Sequence, residues 1–237
     1  AADGAGMAEL SQLYVGAVDG TGAAVPVTGG VCYCCKTALV SGANDTVFVA
    51  WRHVYPGNMR DIAFSVSRDG ARTFQSPVRV SEDRWQIAGC PDDGPAMALD
   101  PQGQIHIVWP SVVTEQGGPV KTIFHAVSRD GTTFAARARV PTQGQAHHPQ
   151  FSIHAAGEAV LVWDESGTGT RQVVAARART DPSGRLVFLR LPGSLGAGSY
   201  PAVAAAGPDG WVVACTSGEG GAGEIKLHRI PRSGPAS

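Results

Sequence analysis

The sequence has few charged residues, few aromatic residues and no long apolar run. Only 16% of its 237 residues are charged, 7% are aromatic, and the formal net charge is −1. This balance gives no reason to expect a nucleic-acid partner or an anionic membrane surface. No apolar run approaches the roughly 20 residues that span a bilayer as a helix. No segment keeps a 3.6-residue apolar period, so we predict almost no helix.

Turn-forming residues, in contrast, are abundant. The chain contains 31 glycines and 16 prolines, and tight turns need the positive or fixed φ angles that these residues supply. Many turns without helix indicate an all-β fold. The first residues, Ala1-Ala2-Asp3-Gly4, suit a protein from which a leader has been cleaved after a small residue. We therefore expect a periplasmic or secreted protein.

An internal repeat organises the chain. Apolar strands at 47–51, 105–109 and 160–163 each end in Trp, and a strand at 211–215 ends in Cys. Each strand has an apolar strand before it and another after it, and a short fourth strand follows near residues 78–80 and 138–140. Four antiparallel strands in roughly 50–60 residues are typical of a β-propeller blade.

The repeat predicts a single β-propeller domain over residues 1–237. The predicted blades are approximately 31–80, 90–140, 147–191 and 200–232, and the last one lacks its outer strand. Two further strands, 12–18 and 23–27, lie in the N-terminal segment 9–27. Two alternatives stay open for them. They close the ring by completing the last blade, or the chain belongs to a propeller with up to six blades.

Two near-identical turns carry a family resemblance. Residues 67–74 read SRDGARTF and residues 128–134 read SRDGTTF. Both resemble the Asp-box of sialidase-like (BNR-repeat) propellers, S-x-D-x-G-x-T-W/F, although Ala71 replaces Gly and the second copy is one residue shorter. The resemblance implies a sialidase-like propeller of four to six blades, in which the aspartate caps backbone N–H groups of the turn. It implies a fold, not an activity.

A second likeness lies in the cysteine-rich segments. The first predicted blade begins with VCYCC at residues 31–35 and the second with GCP at residues 89–91. This arrangement resembles a Cys-rich bacterial branch of the sialidase-like proteins, a likeness that implies no particular chemistry.

The predicted topology gathers the reactive side chains at one face. Strands of a blade alternate in direction, so the segment before the first strand and the loop between the second and third strands lie at the same end. We call the former the leading segments. They contain Cys32, Cys34, Cys35, Cys90, Asp92, Asp93, His147, His148 and Tyr200, and the loops contain Arg52, His53, Arg60, Asp164 and Glu165. This convergence at a central mouth is the strongest functional indication in the sequence.

The cysteines allow two interpretations. A structural disulfide would join Cys90 to Cys34 or Cys35 across adjacent blades. Alternatively, closely spaced thiolates bind a soft metal ion, with Cu(I) as the first expectation and Zn(II) as the second. The predicted metal ligands are Cys32, Cys34, Cys35, Cys90, His53 and His148. With five cysteines in the chain, pairing within one molecule cannot account for all of them.

Four further residues are candidates for binding a small ligand. Arg52 and Arg60 either receive an anionic ligand or form ion pairs with Asp92 or Asp93. Asp92 and His147 complete the predicted ligand-binding set. His147 and His148 are adjacent on an extended segment, where side chains alternate, so we expect only one of them to face the mouth.

Three functions remain open at this stage. The leading prediction is an exported, non-sialidase propeller that binds a soft metal ion or a small ligand at its mouth. The second is a glycoside hydrolase or lyase that uses Asp93, Glu165 and Tyr200. Sialidases combine a Tyr nucleophile, a Glu and an Asp with three arginines, but only Arg52 and Arg60 lie on this face, and the Arg-x-Pro motif is absent. The third is a disulfide-stapled scaffold that binds another exported protein.

Overall fold

The structure is a computed structural model that describes residues 4–167, 169–181, 185–218 and 223–232. Nearly all of its regular structure is β-strand, which confirms the all-β prediction. The exceptions are one short α-helix, α1 (Gly4–Leu10), and one 3₁₀ turn (Gly207–Asp209). None of the helices in the described ranges is long and apolar enough to cross a membrane.

The strands form antiparallel sheets in chain order. In the described residues they are β1 (Gln12–Val15), β2 (Val25–Gly29), β3 (Ala38–Ser41), β4 (Val47–Arg52), β5 (Ile62–Ser67), β6 (Val78–Arg79), β7 (Ala96–Leu99), β8 (Ile105–Glu115), β9 (Gly118–Ser128), β10 (Ala138–Arg139), β11 (Gln145–Ile153), β12 (Ala159–Ser166), β13 (Gln172–Thr180), β14 (Leu186–Arg190), β15 (Gly196–Ala197), β16 (Ser199–Ala205), β17 (Gly210–Ser217) and β18 (Glu224–Pro231). Strands β1 and β2 pair with each other in a two-stranded sheet.

Four larger sheets follow, one for each predicted repeat. They are β3–β6, β7–β10, β11–β14 with β15 added to β13, and the three-stranded sheet β16–β18. The last sheet has three strands within the described residues, and the assignment of these sheets as propeller blades with the predicted bounds stays a prediction. The four repeated positions, Trp51, Trp109, Trp163 and Cys215, lie in the second strand of each sheet and are buried. The spacing of these residues therefore located the sheets correctly.

The chain divides into two compact units. The first contains residues 1–99, 103–109 and 126–137, and the second contains residues 100–102, 110–125 and 138–237. Trp51 packs in the core of the first unit with Val31, Val49 and Ala63. The core of the second unit contains Val160, Val162, Ala175, Trp211, Val213 and Ile230. The β-branched residues of these cores suit the pleated surface of a sheet.

The two Asp-box-like turns both belong to the first unit, and their aspartates cap the turn as predicted. Asp69 Oδ1 accepts the N–H groups of Arg72 and Thr73 at 3.0 and 2.9 Å. Asp130 Oδ1 accepts those of Thr132 and Thr133 at 2.8 and 3.1 Å. Hydrogen bonding, led by the Thr73 hydroxyl for Asp69 and the Thr132 N–H for Asp130, holds both carboxyl pKa values well below the usual range. Membership of the BNR-repeat family stays a prediction.

A tryptophan, a carboxylate and an arginine form a buried cluster in the second sheet. The Trp109 indole N–H donates to Asp83 Oδ2 at 2.7 Å. Asp83 Oδ1 forms an ion pair with Arg137 at 2.7 Å, and the aspartate side chain is only 2% exposed. The carboxylate thus accepts a buried indole N–H and balances the charge of a guanidinium. We call this arrangement the Trp–carboxylate–Arg cluster.

Candidate functional site

Three sulfurs meet in the loop between β2 and β3 of the first unit. The Cys35 N–H donates to the Cys32 carbonyl at 3.0 Å, and the Cys32 N–H donates to the Arg52 carbonyl at 2.9 Å. These bonds fold the loop into a turn anchored on the end of β4. Cys32 Sγ lies 3.4 Å from Cys35 Sγ and 3.7 Å from Cys34 Sγ. We call this turn the cysteine loop (residues 31–36).

One of the two predicted disulfides is present, between Cys34 and Cys90. Two of the four sulfurs predicted as metal ligands are therefore bonded to each other, while Cys32, Cys35 and Cys215 are free thiols in the structure. The segment that carries Cys90 also packs closely on the cysteine loop. A Cβ atom added to Gly94 would lie 1.9 Å from the Lys36 carbonyl oxygen, so only glycine fits there without displacement of the backbone.

Arg52 and Arg60 are buried beside the cysteine loop, at 1% and 2% exposure. Arg60 Nη1 lies 3.0 Å from Cys32 Sγ, and Arg60 Nε donates to Asn58 Oδ1 at 2.8 Å. Arg52 donates from Nε to the Asp93 carbonyl at 3.0 Å and from Nη1 to the Arg60 carbonyl at 2.6 Å. The anionic group that Arg60 meets in this structure is thus the Cys32 sulfur, while binding of an external anion stays a prediction.

The two free thiols of the cysteine loop differ strongly in acidity. The hydrogen bond from Cys35, together with the charges of Arg60 and Arg52, lowers the pKa of Cys32 to about 6 against the opposing effect of burial. The hydrogen bond to Cys32, followed by burial, raises the pKa of Cys35 well above its usual value. Cys32 is therefore the more acidic of the two thiols.

His53 has other partners. Its Nδ1 accepts the Trp51 indole N–H at 3.3 Å, and its ring packs against Tyr55 with the centroids 4.6 Å apart. Burial, followed by the charge of Arg79, lowers the pKa of His53. Among the described residues, the group of candidate ligand atoms within 4.8 Å in this loop contains Cys32, Cys34 and Cys35. The predicted addition of His53 to that group is thus not seen in the structure.

Asp92 and Asp93 lie side by side in the leading segment of β7 but differ in burial. Asp92 is exposed and has a positive φ of 46°. Asp93 is fully buried, and its carbonyl accepts the Arg52 Nε–H. The backbone turn between them presents Asp92 to solvent and places Asp93 inside the first unit. Their predicted roles as ligand-binding and catalytic groups stay predictions.

In the second unit, a buried aspartate holds a histidine. His148 Nδ1 lies 2.8 Å from Asp164 Oδ1, and the two side chains are 6% and 0% exposed. Arg171 Nη1 reaches Asp164 Oδ2 at 3.1 Å, and the Tyr200 backbone N–H donates to Asp164 Oδ1 at 3.1 Å. Since an ionised carboxylate only accepts hydrogen bonds, His148 Nδ1–H is the donor in this contact.

The Tyr200 ring covers this pair. It stacks on the His148 imidazole with the centroids 4.0 Å apart and the planes inclined at 28°, yet Tyr200 is 54% exposed. His148 and Tyr200 have positive φ angles of 50° and 51°, and the strand register shifts at both positions. Such backbone conformations cost on the order of 1–3 kcal/mol each and concentrate at functional sites. The exposed Tyr200 ring thus lies directly over a buried imidazole.

His147 is on the same side as its neighbour, and the expected alternation of the two histidines was wrong. Their ring centroids are 5.6 Å apart, because the positive φ of His148 and the shifted register after His147 interrupt the extended backbone. His147 Nδ1 lies 2.9 Å from Lys121 Nζ. The second unit thus assembles His147, His148, Asp164, Tyr200, Arg171 and Lys121, which we call the His–Tyr site.

Glu165 is placed differently from the preceding aspartate. Its Oε2 accepts the Trp163 indole N–H at 2.9 Å and the Gln143 backbone N–H at 3.0 Å, and its Oε1 pairs with Arg190 at 2.5 Å. These contacts repeat the Trp–carboxylate–Arg cluster of Asp83. Glu165 and Arg190 line a cleft of about 830 Å³ in the second unit. Both carboxylate oxygens of Glu165 thus already have donors within the protein.

Two residues of the His–Tyr site were missed from the sequence. Arg171 directly precedes β13, at the end of a second-to-third-strand loop, so the topological rule that selected Asp164 would also have selected it. Lys121 lies within the long strand β9, between Val120 and Thr122. No signal in the sequence distinguished that lysine from a solvent-facing one.

Comparisons with known proteins inform the fold. No protein-family model matches the sequence, and no curated protein matches it. Among solved structures, the chain is similar to a protein of unknown function from Dyadobacter fermentans, with a TM-score of 0.63 and 15% identity over 89% of this chain. An endo-arabinase from Bacteroides thetaiotaomicron gives a TM-score of 0.54 and 11% identity over 82% of this chain.

A third similar structure is a xylan β-1,4-xylosidase from Bacillus halodurans, with a TM-score of 0.52 and 13% identity over 83% of this chain. The chain spans 64%, 74% and 41% of the lengths of these three proteins. The fold is propeller-like. At these identities the likeness shows the fold alone.

Proposed function

We propose that this protein is a carbohydrate-active enzyme that cleaves a uronic-acid-containing glycan by β-elimination at the His–Tyr site. The observation that supports the proposal is the exposed Tyr200 ring stacked on His148, which Asp164 orients from below. The carbohydrate class is suggested by the endo-arabinase and the xylosidase, whose names describe enzymes acting on glycans. The elimination chemistry is suggested by the residues of the site.

The proposed step needs a base, an acid and a cation. His148 Nε2 removes the proton from C5 of the uronate, and the electrons of that C–H bond form a double bond between C4 and C5. The C4–O bond breaks, and the Tyr200 hydroxyl gives its proton to the departing glycosidic oxygen. His and Tyr both serve as general acids and bases in enzymes. Atoms and charge balance without a further reactant.

Cationic groups would stabilise the charge that develops on the uronate carboxylate. Arg171 and Lys121 carry positive charge at the edge of the site, where they contact Asp164 and His147 respectively. Preorganised cations near a developing enolate lower the barrier because they need no reorganisation during the reaction. An acidic sugar is therefore a better substrate for this site than a neutral one.

Hydrolysis is less well supported by the second unit. Glycoside hydrolases use two carboxyl groups, one of them able to donate a proton. In the described part of this unit, Asp164 is occupied by His148, Arg171 and the Tyr200 N–H, and Glu165 by Trp163, Gln143 and Arg190. The contribution of Asp93 to a hydrolytic site stays a prediction.

The test is an absorbance assay for the unsaturated uronate product on polygalacturonate, alginate and a glycosaminoglycan. We expect Tyr200→Phe and His148→Gln to lower kcat by at least about 100-fold, because each removes a proton-transfer group. Tyr14→Phe, a change at an exposed tyrosine of the first unit, is the matched control and leaves kcat unchanged. Release of reducing ends from arabinan or xylan without unsaturated product would mean hydrolysis and contradict the proposal, as would absence of product from every substrate.

The four sheets are proposed to be blades of one sialidase-like propeller in an exported protein. The support is the repeated four-stranded pattern with its buried Trp positions and the two capped Asp turns. An experimental structure with four or more blades closed around a central axis would bear this out, and an open row of sheets would contradict it.

Copper or zinc binding by the cysteines stays a prediction, as does docking of another exported protein. With Cys34 and Cys90 bonded to each other, the remaining ligands in the cysteine loop are Cys32 and Cys35. Elemental analysis of protein purified without chelator tests this prediction, because one bound ion per chain would saturate the site. A copper or zinc content below roughly 0.1 ion per chain would argue against metal binding.

A further inference from the structure

We propose that Cys32 and Cys35 form a thiol–disulfide exchange site whose substrate is the protein's own Cys34–Cys90 disulfide. The exchange moves the disulfide from a pairing that links two distant segments to a local pairing within the cysteine loop. The loop and the Cys90 segment both belong to the first unit, and the inference is independent of the His–Tyr site.

The three sulfurs of the loop lie in the order that exchange requires. Cys32 Sγ is 3.4 Å from Cys35 Sγ on one side and 3.7 Å from Cys34 Sγ on the other. Cys34 Sγ is already bonded to Cys90. Cys32 and Cys35 also have the C-x-x-C spacing typical of redox-active pairs, and the hydrogen bond from the Cys35 N–H to the Cys32 carbonyl closes the turn between them.

The surroundings of Cys32 favour its thiolate. Arg60 Nη1 is 3.0 Å from the sulfur, and the Arg60 side chain is buried, so its charge acts where water screens it little. The thiolate is the attacking species in exchange. Cys32 is therefore the attacking group, and Cys35 is the group that resolves the first product.

Both steps balance without an external oxidant or reductant. First, the Cys32 thiolate attacks Cys34 Sγ, the Cys32–Cys34 bond forms, and Cys90 leaves as a thiolate that takes up a proton. Second, Cys35 loses its proton and attacks Cys32 Sγ, the Cys32–Cys35 bond forms, and Cys34 leaves as a thiolate. The net change is one disulfide exchanged for another, with two thiols before and two after.

The burial of Cys32 and Cys35 favours the Cys34–Cys90 disulfide over external disulfides as their exchange partner. Cys32 and Cys35 are 1% and 8% exposed, so dissolved oxidants and disulfides reach them poorly, whereas the Cys34 sulfur lies within 3.7 Å of Cys32. Cys90 is exposed, so the group that leaves in the first step is released toward solvent. Exchange would detach the Cys90 segment from the loop covalently, while Gly94 still packs against Lys36. Cys90 would then be an accessible thiol.

The test is pulsed alkylation of the folded wild-type protein with iodoacetamide, followed by disulfide mapping by mass spectrometry. We expect labelled Cys90 to accumulate together with a Cys32–Cys35 disulfide. In Cys32→Ser, labelling of Cys90 should fall at least about tenfold because the attacking thiolate is gone. In Cys35→Ser, the Cys32–Cys34 disulfide should accumulate with Cys90 labelled, since the second step is blocked. Cys215→Ser is the matched control and leaves the pattern unchanged.

The two cysteine variants shift the pattern in opposite directions, so a general loss of folding cannot imitate the expected result. Circular dichroism confirms that each variant is folded before labelling. Labelling of Cys90 at the wild-type rate in Cys32→Ser would overturn the proposal. Absence of Cys90 labelling in the folded wild-type protein would overturn it as well, as would a stoichiometric copper or zinc ion bound to Cys32 and Cys35 in the same sample.

Discussion

The leading segments of the first and third sheets occupy the same place in the repeat but carry different chemistry. The first contains the cysteine loop, with Cys32 beside the buried Arg60. The third contains His148, held by Asp164 and covered by Tyr200. The cysteine loop precedes the first strand of its sheet, whereas His148 lies within the first strand of its sheet and has a positive φ. The residues of the leading segments thus differ from one repeat to the next, and each unit has a site of its own.

The Trp–carboxylate–Arg clusters show the opposite behaviour. Asp83 in the first unit and Glu165 in the second make the same contacts with a tryptophan and an arginine, although one carboxylate precedes its tryptophan in sequence and the other follows it. Equivalent contacts reached from different sequence positions indicate a structural requirement of the sheet. These clusters hold the sheets together, and the leading segments carry the reactive groups.

The largest predicted effect is on stability, and it tests the structural role of the Trp–carboxylate–Arg cluster around Glu165. Glu165→Ala leaves Arg190 and the Trp163 indole without their partner, and removal of one member of a buried ion pair costs about 3–5 kcal/mol. We expect the free energy of unfolding to fall by that amount in urea denaturation. The matched control is Glu115→Ala, because Glu115 pairs with Arg139 at the surface, where such pairs contribute about 0–1 kcal/mol. Equal effects of the two changes would contradict the structural role of Glu165.

A second prediction concerns the contact that positions the Cys90 segment. Gly94→Ala places a methyl group against the Lys36 carbonyl, and overpacking of this kind costs about 1–3 kcal/mol. We expect a lower melting temperature by calorimetry. Gly89→Ala is the matched control, since a Cβ there meets nothing within 4 Å, and its melting temperature should stay unchanged. A stable Gly94→Ala variant would mean that the segment does not pack on the cysteine loop as described.

The smallest predicted effect lies in the Asp turn of the first sheet. The hydrogen bonds from Thr73, Ser67 and Arg72 lower the pKa of Asp69 in the folded protein, so its stabilising contribution is present above the unfolded pKa of about 3.9 and is lost as the pH falls through the folded value. Asp69→Asn removes this dependence. We expect the variant to melt below the wild type at pH 7, with the difference narrowing in strongly acidic solution. A difference that widens on acidification would be inconsistent with the assigned contacts.

Much of the fold could be predicted from the sequence. The spacing of Trp51, Trp109 and Trp163 located the sheets because each of these residues is buried in the second strand of its sheet. The three-stranded last sheet and the capping role of Asp69 and Asp130 were predicted from local patterns as well. The Cys34–Cys90 pairing was one of two pairings considered, since the sequence alone could not distinguish Cys34 from its neighbour.

The site could be predicted only in part. Asp164 and Glu165 looked equivalent in sequence, and only the position of Arg190, which approaches from β14, shows that Glu165 is structurally occupied. The bulge that turns His147 and His148 to one side depends on the positive φ of His148, near 50°, which was not anticipated from the sequence although histidine is among the residues that adopt this region more often. Long-range partners and local departures from regular backbone account for what was missed.

The measurement that tests this division of roles most directly compares Tyr200→Phe and Glu165→Gln in the same uronate-elimination assay, with thermal unfolding of both proteins. We expect the kcat of Tyr200→Phe to fall by at least about 100-fold, while its melting temperature stays unchanged. We expect Glu165→Gln to keep the wild-type kcat but to melt at a lower temperature, because the charge opposite Arg190 is gone. Turnover lost in Glu165→Gln and retained in Tyr200→Phe would contradict the central claim and make Glu165 the catalytic residue.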